Sequence, residues 1–133
     1  MQHVPFVALA WVYLLIYLPR FGPVAAAMKQ APGGYNNSDP RLAQQQLEGA
    51  ARRALNAHNN GFEAFAPFAA ALLAAMWRAP ERFDVVAYLA IGFAVLRTVY
   101  VFAYLANKAS LRSAMWSLGM FSTCALFIIA IIG

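Results

Sequence analysis

The sequence predicts an all-α integral membrane protein, a four-helix transmembrane bundle formed by a single domain over residues 1–133. Three observations predict it. First, 62% of the 133 residues are hydrophobic and 11% are charged, against about 25% charged in an average soluble domain. A water-soluble domain of this size could not hide so much apolar surface. Second, apolar runs recur at the length a bilayer core requires, about 20 residues of helix. Third, the polar residues inside those runs repeat at helical spacing and gather toward one end.

The first span is expected over about residues 4–28, with a kink at Pro19, where proline removes a helical hydrogen bond. The linker "KQAPGGYNNSD" follows and reads as a true loop. The second helix is expected over about 40–77. Asp39 suits the N-cap and Pro40 the first helical position. Its apolar part, residues 64–77, holds only 14 residues, too few to span. It reaches spanning length only by taking in the polar stretch "NAHNNGFE" ahead of it. The third span, about 83–106, contains the 22-residue run 85–106, interrupted only by Arg97. The fourth, about 111–132, contains 19 uncharged residues at 114–132. "RAPERFD" and "NKASL" join the last three helices. No internal repeat and no second domain is read.

"PVAAAMK" has a small-x-small pattern, but no Lys or Arg precedes it near the start and Pro19-Arg20 interrupts the approach, so an uncleaved helix is expected. "NNS" at 36–38 is a weak glycosylation sequon, and the topology below puts it on the wrong side. Cys124 lies inside the fourth helix and reads as a small buried residue. Arg20, Lys29, Arg41, Arg52, Arg53, Lys108 and Arg112 flank the first and third loops, whereas Arg78 and Arg82 on the other side stand beside Glu81 and Asp84. The positive-inside rule therefore puts the first and third loops in the cytoplasm and both termini outside. The net charge of +5 is explained by this topology and by anionic headgroups of membrane lipids, with no nucleic acid as partner.

Two polar stripes follow from helical periodicity. Arg53, Asn56, Asn60, Glu63 and Pro67 step by three and four along the second helix. Arg97, Tyr100, Tyr104 and Asn107 do so along the third, and Arg112 opens the fourth. A charge deep in a membrane helix costs a few kcal/mol and usually faces the protein interior. One reading is a structural lock, with Arg97 paired to Glu63, Asn60 bonded between helices and the tyrosines at the interface. The other is a cytoplasm-facing pocket for a small peptide-like anion. In it the arginines would fork onto carboxylates and Glu63 would hold an amine. No metal site is read, since His3 and His58 stand far apart and no carboxylate or Cys lies at ligand spacing. His58 lies round the helix from the stripe, where a bond to a neighbouring helix or subunit is expected.

"RRALNAHNNGFEAFAPF" resembles the second-helix signature of the MAPEG family, the membrane-associated proteins in eicosanoid and glutathione metabolism. The matching positions are Ala57, His58, Asn60, Glu63 and Pro67. "RTVYVFAYLANKASLR" resembles the family's next block through Arg97, Tyr104 and Arg112. "GFEAFAPF" and the Ala-rich background look like a bacterial branch, and hence a bacterial inner membrane. The resemblance implies a homotrimer of four-helix subunits that binds glutathione as co-substrate, in a U shape between subunits near the cytoplasmic face. It implies that Asn60 and Glu63 contact the glutathione backbone, Glu63 at the γ-glutamyl amine. Tyr100 and Tyr104 would line the site, Arg97 would support it, and Arg20 resembles the basic residue at the end of the first helix. Arg53 is a further candidate ligand contact because it shares the stripe of Asn60 and Glu63. Arg112 resembles the catalytic arginine beside the sulfur, so Cys124 is not required. The lipophilic electrophile would come from the bilayer.

The chain departs from the pattern at Leu55 and Asn56, where tightly clamping members carry an Arg. A glutathione transferase or peroxidase and a non-catalytic trimer with a structural or lipid-binding role both stay open. A transporter is disfavoured, because no broken-helix repeat or acidic relay is present.

Overall fold

The computed structural model describes residues 2–133, and no strand occurs among them. α1 (Val4–Pro19) runs through a π-helical turn (Arg20–Val24) into α2 (Ala25–Gln30), giving one continuous helical rod. The kink expected at Pro19 takes this form. Pro23 sits inside the turn without an N–H, and the Ala25 N–H reaches back to Arg20 O, five residues away. The loop after α2 turns through Gly33 and Gly34, at φ +84° and +74°. These are left-handed conformations that glycine adopts without strain.

α3 (Pro40–Gln45) starts where the sequence places it, with Asp39 Oδ1 accepting the Leu42 N–H at 3.1 Å. The expected continuous helix over 40–77 is nevertheless broken. The chain leaves helical geometry at residues 46–48 and resumes as α4 (Gly49–Arg78), with Gly49 at φ +53° making the turn. The cause is tertiary. Leu47 drops into an apolar nest of Val24, Met28, Ala54 and Leu55. Arg52 folds back to donate from Nε to Leu47 O at 2.8 Å and from Nη2 to Gln45 O. These bonds satisfy carbonyls that the broken helix leaves open.

A short 3₁₀ turn (Pro80–Arg82) leads to α5 (Phe83–Leu105), and α6 (Ala109–Ile132) completes the chain. α5 ends in a Schellman motif. Asn107 takes φ +57°, the Lys108 N–H bonds Ala103 O at 2.8 Å, and the Asn107 N–H bonds Tyr104 O at 3.1 Å. This tight reversal fixes Tyr104 on α5 close to Arg112 on α6.

Three helical segments, Val4–Gln30, Pro80–Leu105 and Ala109–Ile132, are long and apolar enough to cross a membrane. α4 has 30 residues, roughly 45 Å at 1.5 Å per residue, but its polar first half keeps it out of that set. It is the packing hub, in contact with α1, α5 and α6. Phe68 of α4 stacks on Phe93 of α5 at 3.8 Å between centroids, surrounded by Ala71, Leu72, Ala75, Ala90 and Leu126. Small residues let these backbones approach closely, which is how helices associate without a water-driven force.

α1 and α4 approach closely at Gly61. A Cβ there would stand 3.0 Å from Ile16 Cγ1, so α1 rests directly on the α4 backbone. Gly61→Val should force the helices apart and destabilise the bundle by about 1–3 kcal/mol. Thermal unfolding in detergent checks this, and an unchanged midpoint would contradict the packing.

Candidate functional site

Six polar residues from three helices form one unbroken chain of contacts. Asn60 and Glu63 stand three apart on α4, on one face, and Asn60 Nδ2 donates to Glu63 Oε2 at 3.0 Å. From α5, Arg97 Nη2 donates to Asn60 Oδ1 at 3.1 Å. The Arg97 guanidinium also lies over the Tyr100 ring, 4.0 Å from its centroid. Tyr100 meets Tyr104 edge to face at 5.6 Å. Arg112 of α6 caps the chain, its guanidinium 4.7 Å from the Tyr104 centroid. The order is therefore Glu63, Asn60, Arg97, Tyr100, Tyr104, Arg112.

The electrostatics are uneven. Arg97 is only 3% exposed, yet it does not pair directly with Glu63. Among the described residues the one ion pair is Arg82 with Glu81, on the surface at 3.5 Å. The direct lock between Arg97 and Glu63 is thus replaced by a relay through the Asn60 amide. Asn60 uses its carbonyl toward the cation and its NH₂ toward the anion, the only orientation that satisfies both. The two arginines are offered π faces and an amide, which attract a cation less than a carboxylate does. An anionic ligand between them would supply the missing charge.

Two cavities open along the chain. One, of about 230 Å³, is lined by Asn60, Glu63 and Arg97 at its polar end and by Pro67, Phe93 and Gly119 at its apolar end. The other, of about 320 Å³, is lined by Tyr100, Tyr104, Arg112, Ser113, Trp116 and Ser117. Pro67 was singled out from sequence, but Trp116, Phe93 and Gly119 were not. The available signal was spacing, since Trp116 lies one helical turn past Arg112.

The structure does not join Arg20 or Arg53 to this chain. Arg20 lies in the π turn, with Nη1 3.9 Å from Met28 Sδ. Arg53 shares the α4 stripe, but its Nε is buried with no hydrogen-bond partner among the described residues. His58 behaves as its position on the helix implies. Its Nδ1 lies 2.8 Å from Ile16 O on α1, so that nitrogen carries the proton and donates. The ring packs between Tyr17 and Phe62 at the α1–α4 seam, away from the polar chain.

Comparison with known proteins adds one positive result: the model of the MAPEG family matches residues 4–132. No curated protein and no solved structure matches the chain significantly. The match spans nearly the whole sequence and agrees with an all-helical protein carrying three apolar, membrane-length helices. The chain belongs to the MAPEG family.

Proposed function

We propose that the protein is a glutathione-dependent membrane transferase or peroxidase that acts on lipophilic electrophiles. The observation that carries this reading is the contact chain from Glu63 to Arg112, with carboxylate and amide at one end and a cation at the other. Glutathione has matching ends. Its γ-glutamyl amine suits Glu63, its amides suit Asn60, and its carboxylates suit guanidinium groups. Arg97 and Tyr100 hold the middle of the site, Tyr104 lines it, and Arg112 takes the sulfur. A free thiol ionises at about pH 8.5, and a neighbouring cation favours the thiolate. The thiol proton leaves to solvent. The thiolate then attacks an electrophilic carbon with loss of a leaving group, or the terminal oxygen of a hydroperoxide, whose O–O bond breaks as the alkoxide leaves and takes a proton. In the second case a further glutathione thiol then reduces the sulfenic acid to the disulfide and water.

The working unit in this reading is a homotrimer of four transmembrane helices per subunit, in a bacterial inner membrane. α4 supplies the fourth span. The first and third loops are cytoplasmic and both termini lie outside. Arg20 and Arg53 then serve the outer parts of a site shared between subunits.

A second reading, a non-catalytic membrane trimer with a structural or lipid-binding role, is favoured by one specific feature. Leu55 and Asn56 stand where an Arg would strengthen the clamp, and Leu55 is buried in the nest around Leu47. Titration of the detergent-solubilised protein with glutathione separates the two. The enzyme reading expects ultraviolet thiolate absorbance to rise and saturate, followed by conjugation of a chlorinated nitroaromatic. No thiolate signal and no turnover at millimolar glutathione would leave only the second reading. Cross-linking in detergent should give a trimer, and a monomer at every detergent ratio would count against that assembly.

A further inference from the structure

We propose that the corner between α3 and α4 is a binding site for a phosphate group, held by Arg41 and Arg52. A cavity of about 540 Å³ opens there, lined by Arg41, Gln44, Gln45, Arg52 and Asn59, with Phe62 on its wall. No carboxylate lines it. Neither arginine forms an ion pair among the described residues, and Glu48, in the break itself, does not reach the cavity. Two cations that share a pocket repel each other, and the chain brings no anion of its own to offset this.

The break in the second helix builds this corner. Arg41 and Arg52 are eleven residues apart. On an unbroken helix they would stand roughly 16 Å apart along the axis. The break at residues 46–48 redirects α3, and the two side chains become walls of one cavity. The same break orders Arg52. Its Nε and Nη2 donate to Leu47 O and Gln45 O, which fixes the plane of the guanidinium. Among the described residues its Nη1 donates to nothing, and nor do the side-chain amides of Gln44, Gln45 and Asn59. A preordered donor array loses little freedom on binding. Guanidinium forks match phosphate oxygens, and amide N–H groups add to them. The cavity lies within the roughly 300–1,000 Å³ range of small-molecule sites, so it holds a phosphate together with the alcohol it esterifies.

The site is separate from the glutathione stripe. Arg52, Asn59 and Phe62 each precede Arg53, Asn60 and Glu63 by one residue, which turns them about 100° round α4. The inference therefore stands without the glutathione reading. In the topology proposed above the corner lies on the cytoplasmic side. A soluble phosphate ester and an anionic lipid headgroup present the same group there.

The experiment is calorimetric titration of the full-length protein in neutral detergent at constant ionic strength. Glycerol phosphate probes the soluble source and dihexanoylphosphatidylglycerol the lipid source. Arg41 is exposed and makes no hydrogen bond among the described residues, so Arg41→Gln should fold normally. It should weaken binding about tenfold, the scale of one charged hydrogen bond. Arg78→Gln removes the same charge at the far end of α4 and should bind like wild type. Saturable binding of glycerol phosphate that Arg41→Gln weakens identifies a soluble ester as ligand. The same result with the phospholipid alone identifies a headgroup. Saturation by neither probe, unchanged affinity in Arg41→Gln, or equal weakening by Arg78→Gln would overturn the proposal. So would equal binding of dihexanoylglycerol, which lacks the phosphate. Displacement of either probe by millimolar glutathione would assign the cavity to the glutathione site and overturn it as well.

Discussion

Arg112→Ala is expected to abolish the glutathione thiolate absorbance and to lower kcat by roughly 10²–10³-fold, the usual effect of losing one preorganised charge-stabilising group. The fold should survive, because Arg112 sits in the first turn of α6 and the contact of its guanidinium is with the Tyr104 ring. The pH profile provides the mechanistic check. A cation beside the sulfur lowers the pH at which the thiolate forms, so the rising limb of the wild-type rate should lie below that of free glutathione. In Arg112→Ala the limb should move alkaline, toward about pH 8.5. Arg112→Lys should recover part of the rate, since charge is kept while the planar fork is lost. A variant with the wild-type limb and an intact thiolate signal would remove Arg112 from the sulfur.

The second large effect is expected at Asn60, on stability as much as on binding. Asn60→Leu removes both halves of the relay and leaves Arg97 buried without an acceptor. Stranding a buried charge costs about 3–5 kcal/mol, measurable as a large fall in the unfolding midpoint in detergent. Asn60→Leu combined with Arg97→Leu should recover most of that loss, because an apolar pair of similar volume replaces the polar one. The double variant should still fail to bind glutathione. Recovery of both stability and binding would show that the relay is a structural lock and nothing more.

The polar chain was legible in the sequence because membrane helices penalise polarity and helical geometry sorts what is left. Asn60 and Glu63 at i and i+3, and Arg97, Tyr100 and Tyr104 at steps of three and four, could reach one another only across a helix interface. The start of α3 was legible as well, since Asp39 and Pro40 act locally. The break at residues 46–48 was not. Nothing in "QQQLEG" favours it over a continuous helix until α2 offers Leu47 a nest and Arg52 finds the freed carbonyls. Arg53 misled for a related reason. Sharing a stripe with Asn60 fixes its azimuth on α4, but it stands two turns away along the axis. Trp116 was invisible because an aromatic in an apolar helix is the expected residue there, and only its place in the walls of both cavities distinguishes it.

The π turn in the first rod has a consequence for chain length. Its inward-facing positions run Ala8, Val12, Leu15 and Pro19, then Val24 and Met28. The intervals are four, three and four, then five, then four. The turn therefore stores one surplus residue, and the wider winding absorbs it so that Val24 and Met28 still face the core. A relative one residue shorter between Pro19 and Val24 would keep the same inward set on an uninterrupted α-helix. Single-residue insertions and deletions elsewhere in this rod would rotate everything downstream by about 100° and carry the core face into lipid. Within the first span, this is the segment where length variation can accumulate without cost to the bundle.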